Sequence, residues 1–570
     1  MTPTIVRRAV PAAAAALERA GIDPLLARLY ASRGVLDAAE LDLSLAGLPP
    51  PASMKGVEAA AERLVHAIDA RQRIVIVADY DADGATACAI GLRALAAMGA
   101  DVRFVVPNRF EHGYGLTPEI VELARGLGAR LVVTVDNGIA SVEGVAAAAA
   151  LGIDVLVTDH HLPGDRLPAP ALIVNPNQPG CGFPSKHVAG VGVMFYVLAA
   201  TRSLLRERGR DEAALPNLAA LLDLVALGTV ADVVRLDRTN RILVDQGLRR
   251  IRAGRAHAGV AALFAVAARD ASHATATDLG FVAGPRVNAA GRLADMSLGI
   301  RCLVTDDARE AMALAAELDR INRERRAIEA TIEAEALADL DALAADVQGC
   351  ASVCVHRAGW HQGVVGIVAS RLKDRVHRPV IVFAPGNEGE LRGSGRSIAG
   401  FHLRDALDLV SKRAPGAILR FGGHAYAAGL SLRASELPRF AEAFEAVARE
   451  ALSDDDLARH CDTDGEPARG ELTIAVAQRL HATVWGQGFA PPRFDAAFDV
   501  TGQRVVGGKH TRLALVRDGE GFDAIAFRHA DPFPPRIHAV FRPEVNRWQG
   551  RESLELVIEQ WAPSHAVPAS

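Results

Sequence analysis

IVIVADYDADG, residues 74–84, joins a short apolar strand directly to a loop of three carboxylates. Its first four residues are all β-branched, which is typical of a strand covered on both faces. Asp79, Asp81 and Asp83 then follow at alternate positions. A calcium-binding EF-hand would need a preceding helix and a glutamate at the twelfth loop position. That position is Ile90, so the stretch predicts a buried strand with an acidic loop at its carboxyl end.

The same arrangement continues along the chain, where apolar strands alternate with helices. We predict further strands at 102–106, 131–135 and 153–157, and helices at 85–98, 118–127 and 142–151. This alternation is typical of a parallel sheet covered on both faces. The strand at 131–135 is followed by Asp136, and the strand at 153–157 by Asp159, His160 and His161. Because ligands bind at the carboxyl ends of parallel strands, these side chains should meet the acidic loop in one crevice.

Seven side chains are therefore candidate ligands at this edge of the sheet. They are Asp79, Asp81, Asp83, Asp136, Asp159, His160 and His161. A solvated acidic turn would explain the first motif alone, but not its repetition after two further strands. Crowded carboxylates repel one another, and cations relieve that repulsion. Oxygen and imidazole ligands suit Mn²⁺, Mg²⁺, Fe²⁺ or Zn²⁺. Since seven ligands exceed what one ion needs, we predict a two-metal site of the kind that cleaves phosphoesters.

The rest of the chain predicts three further structural parts. Residues 306–347 contain no proline or glycine, which predicts a connecting helix on the order of 60 Å long or a helix pair. A second α/β unit follows, with strands at 352–356 and 380–383 around a helix at 364–375, and then glycine-rich loops with one helix over 390–430. After about residue 465, short alternating strands predict a barrel of five strands.

The predicted fold class is therefore α/β, with a parallel-sheet domain, a long connecting helix, a second smaller α/β domain and a C-terminal barrel. The predicted boundaries are an N-terminal helical segment (1–69), the parallel-sheet domain (70–305), the connecting helix (306–348), the second α/β domain (349–455) and the barrel (465–566).

The composition excludes several classes of protein. Half of the 570 residues are apolar and 23% are charged, which fits a globular protein and not a disordered one. We find no long uninterrupted apolar run and expect no membrane span. Six cysteines without paired spacing predict free thiols in a reducing cytoplasm. The net charge of -5 means that any nucleic-acid surface has to be local.

Three short motifs resemble those of a known family. DYDADG (79–84), VDNG (135–138) and TDHH (158–161), in this order and spacing, resemble the DHH phosphoesterases. Asp223, in LLDLVALGTVADVV, matches that family's fourth acidic motif. More narrowly, the chain resembles the branch that degrades single-stranded DNA from its 5′ end, through VNPNQ (174–178), VAGVGVMF (188–195), GPRVNAAGR (284–292), WHQGVVGIVASRL (360–372), GSGRS (393–397) and GGHAYAAG (422–429). WGQGFAPPRF (485–494) departs from the family's usual pattern where the barrel begins.

This resemblance implies roles for individual residues. The implied metal ligands are Asp81, Asp83, Asp136, His160 and Asp223, with Asp136 bridging two Mn²⁺ or Mg²⁺ ions. Asp79 would be a further ligand or support one, Asp159 would orient the imidazoles, and His161 would contact the scissile phosphate. The implied DNA and phosphate contacts are Arg109, Tyr114, Arg286, Asn288, Arg292, His361, Ser394, Arg396, Gly423 and His424. Trp360 is a further candidate for base stacking, and the barrel resembles an OB-fold.

The resemblance also implies a function. We expect a metal-dependent 5′→3′ exonuclease that releases 5′ mononucleotides from single-stranded DNA, in DNA recombination and repair. Its expected partners are a 5′-ended single strand, a single-strand binding protein and a RecQ-type helicase; we expect a cytoplasmic monomer and no membrane partner. Two alternatives are a small-substrate phosphodiesterase acting on nanoRNA or cyclic dinucleotides and a catalytically inactive replisome scaffold. The length of the chain disfavours the first, and the complete set of acids disfavours the second.

Overall fold

The computed structural model describes residues 4–107, 115–342, 349–386, 389–548 and 550–564. The chain divides into two compact units. The larger unit comprises residues 7–320 and 463–570, and the smaller unit comprises residues 1–6 and 321–462.

The first part of the chain builds a helical segment and a parallel sheet. Its strands are β1 (Thr4–Arg7), β2 (Ile74–Ala78), β3 (Val102–Val105), β4 (Leu131–Val135), β5 (Asp154–Thr158) and β6 (Leu172–Val174). Its helices are α1 (Ala13–Arg19), α2 (Pro24–Ala31), α3 (Val57–Asp69), α4 (Ala82–Ala97), α5 (Pro118–Gly126), α6 (Val142–Ala150), α7 (Gly190–Glu207), α8 (Leu222–Ala231), α9 (Arg238–Arg252), α10 (Ala258–Val266), α11 (Ala276–Asp278), α12 (Gly284–Leu293) and α13 (Ser297–Val304).

The parallel sheet has the strand order β3-β2-β4-β5-β6. Alternate side chains of β2 enter different cores: Ile76 packs with residues of α4 and α7, and Val77 packs with residues of α5 and α6. This two-sided burial explains why the strand is apolar at every position. The predicted parallel sheet is confirmed, and the structure adds β6, which the sequence did not predict.

A single helix, α14 (Ala308–Ala342), follows and crosses the boundary between the two units. The strands of the smaller unit are β7 (Val353–His356), β8 (Val380–Pro385), β9 (Glu390–Arg396), β10 (Arg420–Gly423) and β11 (Ala427–Arg433), and β12 (His460–Thr463) pairs with β1. The helices are α15 (Val365–Val376), α16 (Leu403–Arg413), α17 (Leu437–Ala451) and α18 (Asp454–Leu457). The sheet order is β10-β11-β9-β8-β7, with only β7 and β8 parallel.

The glycine-rich stretch GSGRS is mainly a strand and not the predicted loop. Gly393 and Gly395 lie on the buried face of β9, and an added Cβ would come within 2.6 Å of Phe383 and 2.8 Å of Leu403 respectively. Glycine is therefore needed there because neighbouring side chains fill the space. Ser394 and Arg396 lie on the other face of the same strand.

The last part of the larger unit is a closed barrel, as predicted. After α19 (Ile474–Ala482) its strands are β13 (Phe494–Val506), β14 (His510–Arg517), β15 (Glu520–Ala526), β16 (Arg536–Trp548) and β17 (Arg551–Pro563). They close in the order β13-β14-β15-β17-β16. All six cysteines are free thiols. Within the described residues, Glu212–Ala231 is long and apolar enough to span a membrane by length and composition alone, but 61% of its apolar window is buried inside the protein, as in a core helix.

Candidate metal centre

Three strands of the parallel sheet bring acidic and imidazole side chains to one edge. Asp79, Asp81 and Asp83 follow β2, and α4 begins within this loop because the Asp81 carboxylate caps its first turn through Gly84 N–H at 3.0 Å. Asp136 follows β4 with a φ of 61°. Such a conformation is uncommon outside glycine and is tolerated best by Asn and Asp, and it is often found at functional sites.

The side chains after the three strands lie close enough to share cations. Three groups each place their ligand atoms within 4.8 Å of one another: Asp136 with His160 and His161; Asp83 with His160 and Asp232; and Asp79 with Asp81 and Asp136. Asp136 and His160 each belong to two of these groups. The His160 Nε2 lies 3.1 Å from the Asp136 Oδ1, 3.4 Å from the Asp232 Oδ2 and 4.0 Å from the Asp83 Oδ2.

The structure replaces one residue of the predicted ligand set. Asp223 is fully buried in the first turn of α8, where its carboxylate accepts hydrogen bonds from the backbone N–H of His257 at 2.6 Å and the ring Nδ1 at 2.8 Å. It therefore does not join the cluster. Asp232, at the other end of α8, lies in the cluster instead. The resemblance implied Asp223, in the first turn of this helix, whereas the structure brings Asp232 to the cluster.

Asp159 holds the two histidines without pointing at the shared site. Its Oδ1 accepts the backbone N–H groups of His160 and His161 and lies 2.8 Å from the His161 Nδ1, while its Oδ2 accepts Ile139 N–H. Burial disfavours the charged forms of both groups. The hydrogen bond and the attraction between Asp159 and His161 outweigh burial, so the pKa of Asp159 is lowered and the pKa of His161 is raised to about 9. The raised pKa favours the imidazolium form of His161 in the metal-free protein, and this form donates hydrogen bonds.

Groups at the start of α7 and on α12 support the acidic side chains, among them Asn288, which the resemblance implied as a DNA contact. The backbone N–H groups of Gly190 and Val191, at the start of α7, donate to Asp83 at 2.6 and 2.8 Å. Asn288 on α12 accepts Ala82 N–H at 2.7 Å and so fixes the acidic loop. A Cβ at Gly190 would lie 2.6 Å from the Asp136 Oδ1, so only glycine allows this close approach.

Of the other predicted DNA contacts of the larger unit, those that the structure describes do not belong to the ligand groups. Arg109 and Tyr114 lie outside the described residues. Arg286 is bound to Asp319 at 2.8 Å and to the Val282 carbonyl at 2.7 Å, which gives it a structural role. Arg292 lies in the last turn of α12, beyond Asn288.

The smaller unit brings several predicted phosphate contacts together. Ser394 and Arg396 lie against the first turn of α15, where a Cβ on Gly366 would be 3.4 Å from the Ser394 Oγ and 3.2 Å from the Arg396 guanidinium. No carboxylate in the described part of the chain forms an ion pair with Arg396, and burial lowers the pKa of its guanidinium.

The remaining candidates of the smaller unit shape its loops. Gly423, with a φ of 144°, ends β10, and His424 begins the turn to β11, where its N–H donates to Ala427 O at 2.8 Å. The His361 Nδ1 accepts Gly363 N–H at 3.1 Å. Trp360 is only 4% exposed and donates its indole N–H to Glu335, so it is a core residue and does not stack on bases.

Known proteins share both the sequence and the domain content of this chain. Three family models match it: the DHH family N-terminal domain over residues 73–229, the DHHA1 domain over 346–450 and the RecJ OB domain over 463–560. The single-stranded-DNA-specific exonuclease RecJ of Escherichia coli strain K12 is 48% identical over 557 residues, which are 95% of this chain and 96% of that protein. The chain belongs to the RecJ family. The resemblance to DHH phosphoesterases is thereby confirmed.

Solved structures of the RecJ family have the same fold. A crystal structure of RecJ in complex with Mn²⁺ from Thermus thermophilus has a TM-score of 0.83 and 31% identity, covering 99% of this chain and 80% of that one. A second structure from the same organism, in complex with Mg²⁺, has a TM-score of 0.76 and 29% identity over 99% of this chain and 79% of that one.

The electrostatics of the cluster in this RecJ family member fit bound divalent cations. Burial, reinforced by the repulsion of neighbouring carboxylates, raises the pKa of Asp136 and of Asp232 well above the usual range. Burial and the charge of Asp81 raise the pKa of Asp83 to about 7, although Val191 and Gly190 donate hydrogen bonds to it. Divalent cations compensate such repulsion, and carboxylate oxygens with imidazole nitrogen are ligands that Mn²⁺ accepts.

These raised pKa values predict that protons compete with Mn²⁺. Because a metal binds the deprotonated carboxylate, the affinity for Mn²⁺ should rise with pH through the range near pH 7 in which Asp83 loses its proton, by about tenfold per pH unit for each proton displaced. Calorimetric titration with Mn²⁺ at about pH 6, 7 and 8, in buffers of different ionisation enthalpy, measures both the affinity and the protons released. An affinity that does not change with pH would contradict the assignment.

The raised pKa of Asp83 also predicts how the stability of the metal-free protein changes with pH. A carboxyl whose pKa is higher in the folded protein holds its proton there while the unfolded chain has lost it. The contribution of Asp83 to the stability of the metal-free protein is therefore full below about pH 4 and is lost as the pH rises towards about 7. Comparison of the melting temperatures of the wild type and Asp83→Asn over this range, in EDTA, isolates this contribution.

Proposed function

We propose that the protein is a single-stranded-DNA-specific exonuclease that removes 5′ mononucleotides in the 5′→3′ direction, with Mn²⁺ or Mg²⁺ as its cofactor. One observation carries this proposal: carboxylates and imidazoles from three neighbouring strands and from α8 lie within 4.8 Å of one another in overlapping groups. Membership of the RecJ family agrees with it, since the Escherichia coli relative is named a single-stranded-DNA-specific exonuclease. Recombination and repair are the processes that such a nuclease serves.

The side chains of the cluster divide the work of phosphodiester hydrolysis. Asp79, Asp81, Asp83, Asp136, Asp232 and His160 would hold two divalent cations. Such cations supply an activated water and stabilise the charge that develops on the phosphate. Asp136 belongs to two of the ligand groups, which suits a bridging carboxylate. His161, kept protonated by Asp159, would donate a hydrogen bond to a phosphate oxygen.

The 5′ polarity requires a second site that binds the terminal phosphate. Ser394, Arg396 and the first turn of α15 supply a hydroxyl, a guanidinium and the N-terminal end of a 12-residue helix in one place. Helix N-termini and guanidinium groups both bind phosphate well. We therefore assign the 5′-phosphate contact to this cluster in the smaller unit, with His361, Gly423 and His424 in neighbouring loops.

Several further expectations belong to the same proposal. The enzyme would act in the cytoplasm as a monomer, and a single-strand binding protein and a RecQ-type helicase would supply its strand. The domain boundaries predicted from the sequence also remain part of the proposal. The barrel, with candidate contacts at His510, Arg512, Arg547 and Trp548, would follow the strand. A phosphodiesterase for nanoRNA or cyclic dinucleotides would not need this barrel, because its substrates are too short to reach a second contact surface.

A polarity assay tests the function directly. Single strands labelled at the 5′ or the 3′ end, with and without a 5′ phosphate, are compared with blunt duplex in Mn²⁺ and in Mg²⁺. We expect early release of the 5′ label as a mononucleotide, with the duplex spared. In the same assay Arg396→Gln should slow cleavage of the 5′-phosphorylated strand, relative to the wild type, more than it slows cleavage of the 5′-hydroxyl strand.

Two other outcomes would contradict this proposal. Hydrolysis of dinucleotides or cyclic dinucleotides without cleavage of longer strands would indicate the small-substrate alternative. Binding of single strands without any hydrolysis in either metal would indicate an inactive scaffold. Equal slowing of both strands by Arg396→Gln would separate Arg396 from recognition of the 5′ phosphate.

A further inference from the structure

Phe281 is an exposed aromatic residue whose position neither the motifs nor the metal ligands explain. Its side chain is 80% exposed, more than any other large apolar side chain among the residues described. It lies in a single π-helical turn (Leu279–Ala283) between α11 and α12. Such turns are rare and frequently occur at functional sites. A single exposed apolar residue is ordinary on a protein surface, so its surroundings decide whether it has a function.

The turn that contains Phe281 packs on the end of α8 that leads to the metal centre. A Cβ on Gly280 would lie 3.2 Å from Val230, and a Cβ on Gly284 would lie 3.0 Å from the Ala231 Cβ. The next residue after Ala231 is Asp232, which belongs to the ligand group of Asp83 and His160. Gly280 within the turn and Gly284 directly after it thus allow the backbone to lie directly against the last turn of α8.

The other end of this segment is fixed to the acidic loop. Asn288 accepts Ala82 N–H at 2.7 Å, and a Cβ on Gly291 would come within 1.8 Å of the Tyr80 carbonyl oxygen. Arg286 donates to the Val282 carbonyl at 2.7 Å and so holds the π-helical turn to α12. Phe281 therefore lies in a segment that packs on α8 next to Asp232 at one end and contacts the loop that begins at Asp79 at the other.

A second exposed apolar residue lies at the same end of α8. Val233 directly follows Asp232, is 64% exposed and has a φ of 63°. A β-branched residue in this conformation is strained, and glycine is the usual choice just after a helix. The chain thus presents valine and phenylalanine to solvent beside a cluster of carboxylates. This apolar surface beside a charged centre suits a substrate with a charged backbone and flat apolar faces.

We propose that Phe281 stacks on a base of the single strand whose phosphate lies at the metal centre, with Val233 extending the apolar surface. The inference rests on the proposed function, since it takes single-stranded DNA as the substrate. Aromatic side chains stack on any base, so the contact tolerates all sequences. A base in a duplex is already paired and stacked, so the same contact favours an unpaired strand. Phe281 is on this basis a positioning residue and not a catalytic one.

Binding measurements with and without bases test this role. Fluorescence anisotropy gives the Kd of a labelled 5′-phosphorylated strand with Ca²⁺ in place of Mn²⁺, so that a cation is present at the carboxylates, and of the same strand with abasic residues at its first four positions. Phe281→Ala should weaken binding of the normal strand by about 5- to 150-fold, which corresponds to about 1–3 kcal/mol per stacked base. On the abasic strand it should bind as the wild type does. Phe281→Trp should restore binding, and Phe281→Leu should not.

Controls separate stacking from damage to the fold. Leu36→Ala removes an exposed apolar side chain elsewhere, 69% exposed, and should bind both strands as the wild type does. The melting temperature of Phe281→Ala should be unchanged because the ring is exposed. Equal weakening on both strands, or no weakening, would overturn the inference. The Kd is measured without hydrolysis, so it tests the stacking contact alone. The proposed function is tested separately, and it would fail if the wild-type protein did not cleave single strands in Mn²⁺.

Discussion

Replacing Asp136 by asparagine should reduce the rate of Mn²⁺-dependent hydrolysis of single-stranded DNA by about 10³-fold or more. The carboxylate of Asp136 belongs to two of the three ligand groups, so its loss weakens both cation sites at once. Metal ions contribute several kcal/mol to the stabilisation of transition-state charge, and each 1.36 kcal/mol corresponds to about a factor of ten in rate. Single-turnover cleavage of a 5′-labelled strand measures the loss, and calorimetry with Mn²⁺ measures the weaker binding.

The melting temperature of the Asp136→Asn protein gives a second readout, because it should not fall although the activity does. In the wild type, burial and the neighbouring carboxylates of the cluster disfavour the charge on Asp136. Removing this charge should leave the melting temperature of the metal-free protein unchanged or raise it, while the stabilisation by added Mn²⁺ should shrink. A variant that melts earlier in EDTA would have lost activity through its fold, which would not support a ligand role.

Asp154→Asn is the matched control for this experiment. Asp154 begins β5 at the opposite end of the same sheet, where its mostly exposed carboxylate pairs with Arg63. Its substitution should leave the hydrolysis rate within about twofold of the wild type, since exposed ion pairs contribute only about 0–1 kcal/mol. If Asp136→Asn retained most of the activity, the metal centre would have to be placed elsewhere.

The sheet and its reactive edge could be predicted from the sequence because the evidence there is local. A β-branched run predicts a buried strand, and parallel strands place their carboxyl ends at one edge. Asp79 and Asp136 directly follow such strands, His160 follows one after a single residue, and the structure brings all three to one edge. No long-range information was needed, since the topology of a parallel sheet determines which strand ends meet.

The ligand on α8 could not be chosen from the pattern alone. The helix is apolar around its whole circumference, so hydrophobic periodicity does not show which face meets the metal centre. Asp223 and Asp232 are nine residues apart, about two and a half turns, and therefore point in opposite directions. What distinguishes them is a distant partner, His257, whose proximity to Asp223 exists only in the folded chain.

Strand β9 shows a similar limit. A glycine-rich stretch is typical of a loop, but Gly393 and Gly395 are required by the side chains of Phe383 and Leu403 that pack over them. The packing partners lie on different elements and cannot be inferred from the stretch itself. Ser394 and Arg396, which were predicted to act together in a loop, instead share one face of a strand because they are two residues apart.

The difference between Asp232 and Asp223 predicts the second large effect. Asp232→Asn should lower the hydrolysis rate by about 10²- to 10³-fold, because it removes a charged ligand beside Asp83 and His160. Asp223→Asn should keep the rate within about threefold of the wild type and bind Mn²⁺ normally. The substitution should instead lower the free energy of unfolding by about 1.5–3 kcal/mol, since the buried carboxylate accepts hydrogen bonds from the backbone and the ring of His257.

Measuring both variants side by side makes the assignment decisive. Single-turnover rates in Mn²⁺, Mn²⁺ titrations and urea unfolding in EDTA give three independent values for each protein. The structure predicts opposite patterns for the two variants: Asp232→Asn loses metal binding and rate but not stability, and Asp223→Asn loses stability alone. The reverse pattern would restore Asp223 as a ligand and would require α8 to turn by about half a revolution about its axis. Core residues pack around α8, so such a rotation would displace Leu224 and Val225 from their present positions in the interior. The metal centre as it is arranged in this structure would then be lost.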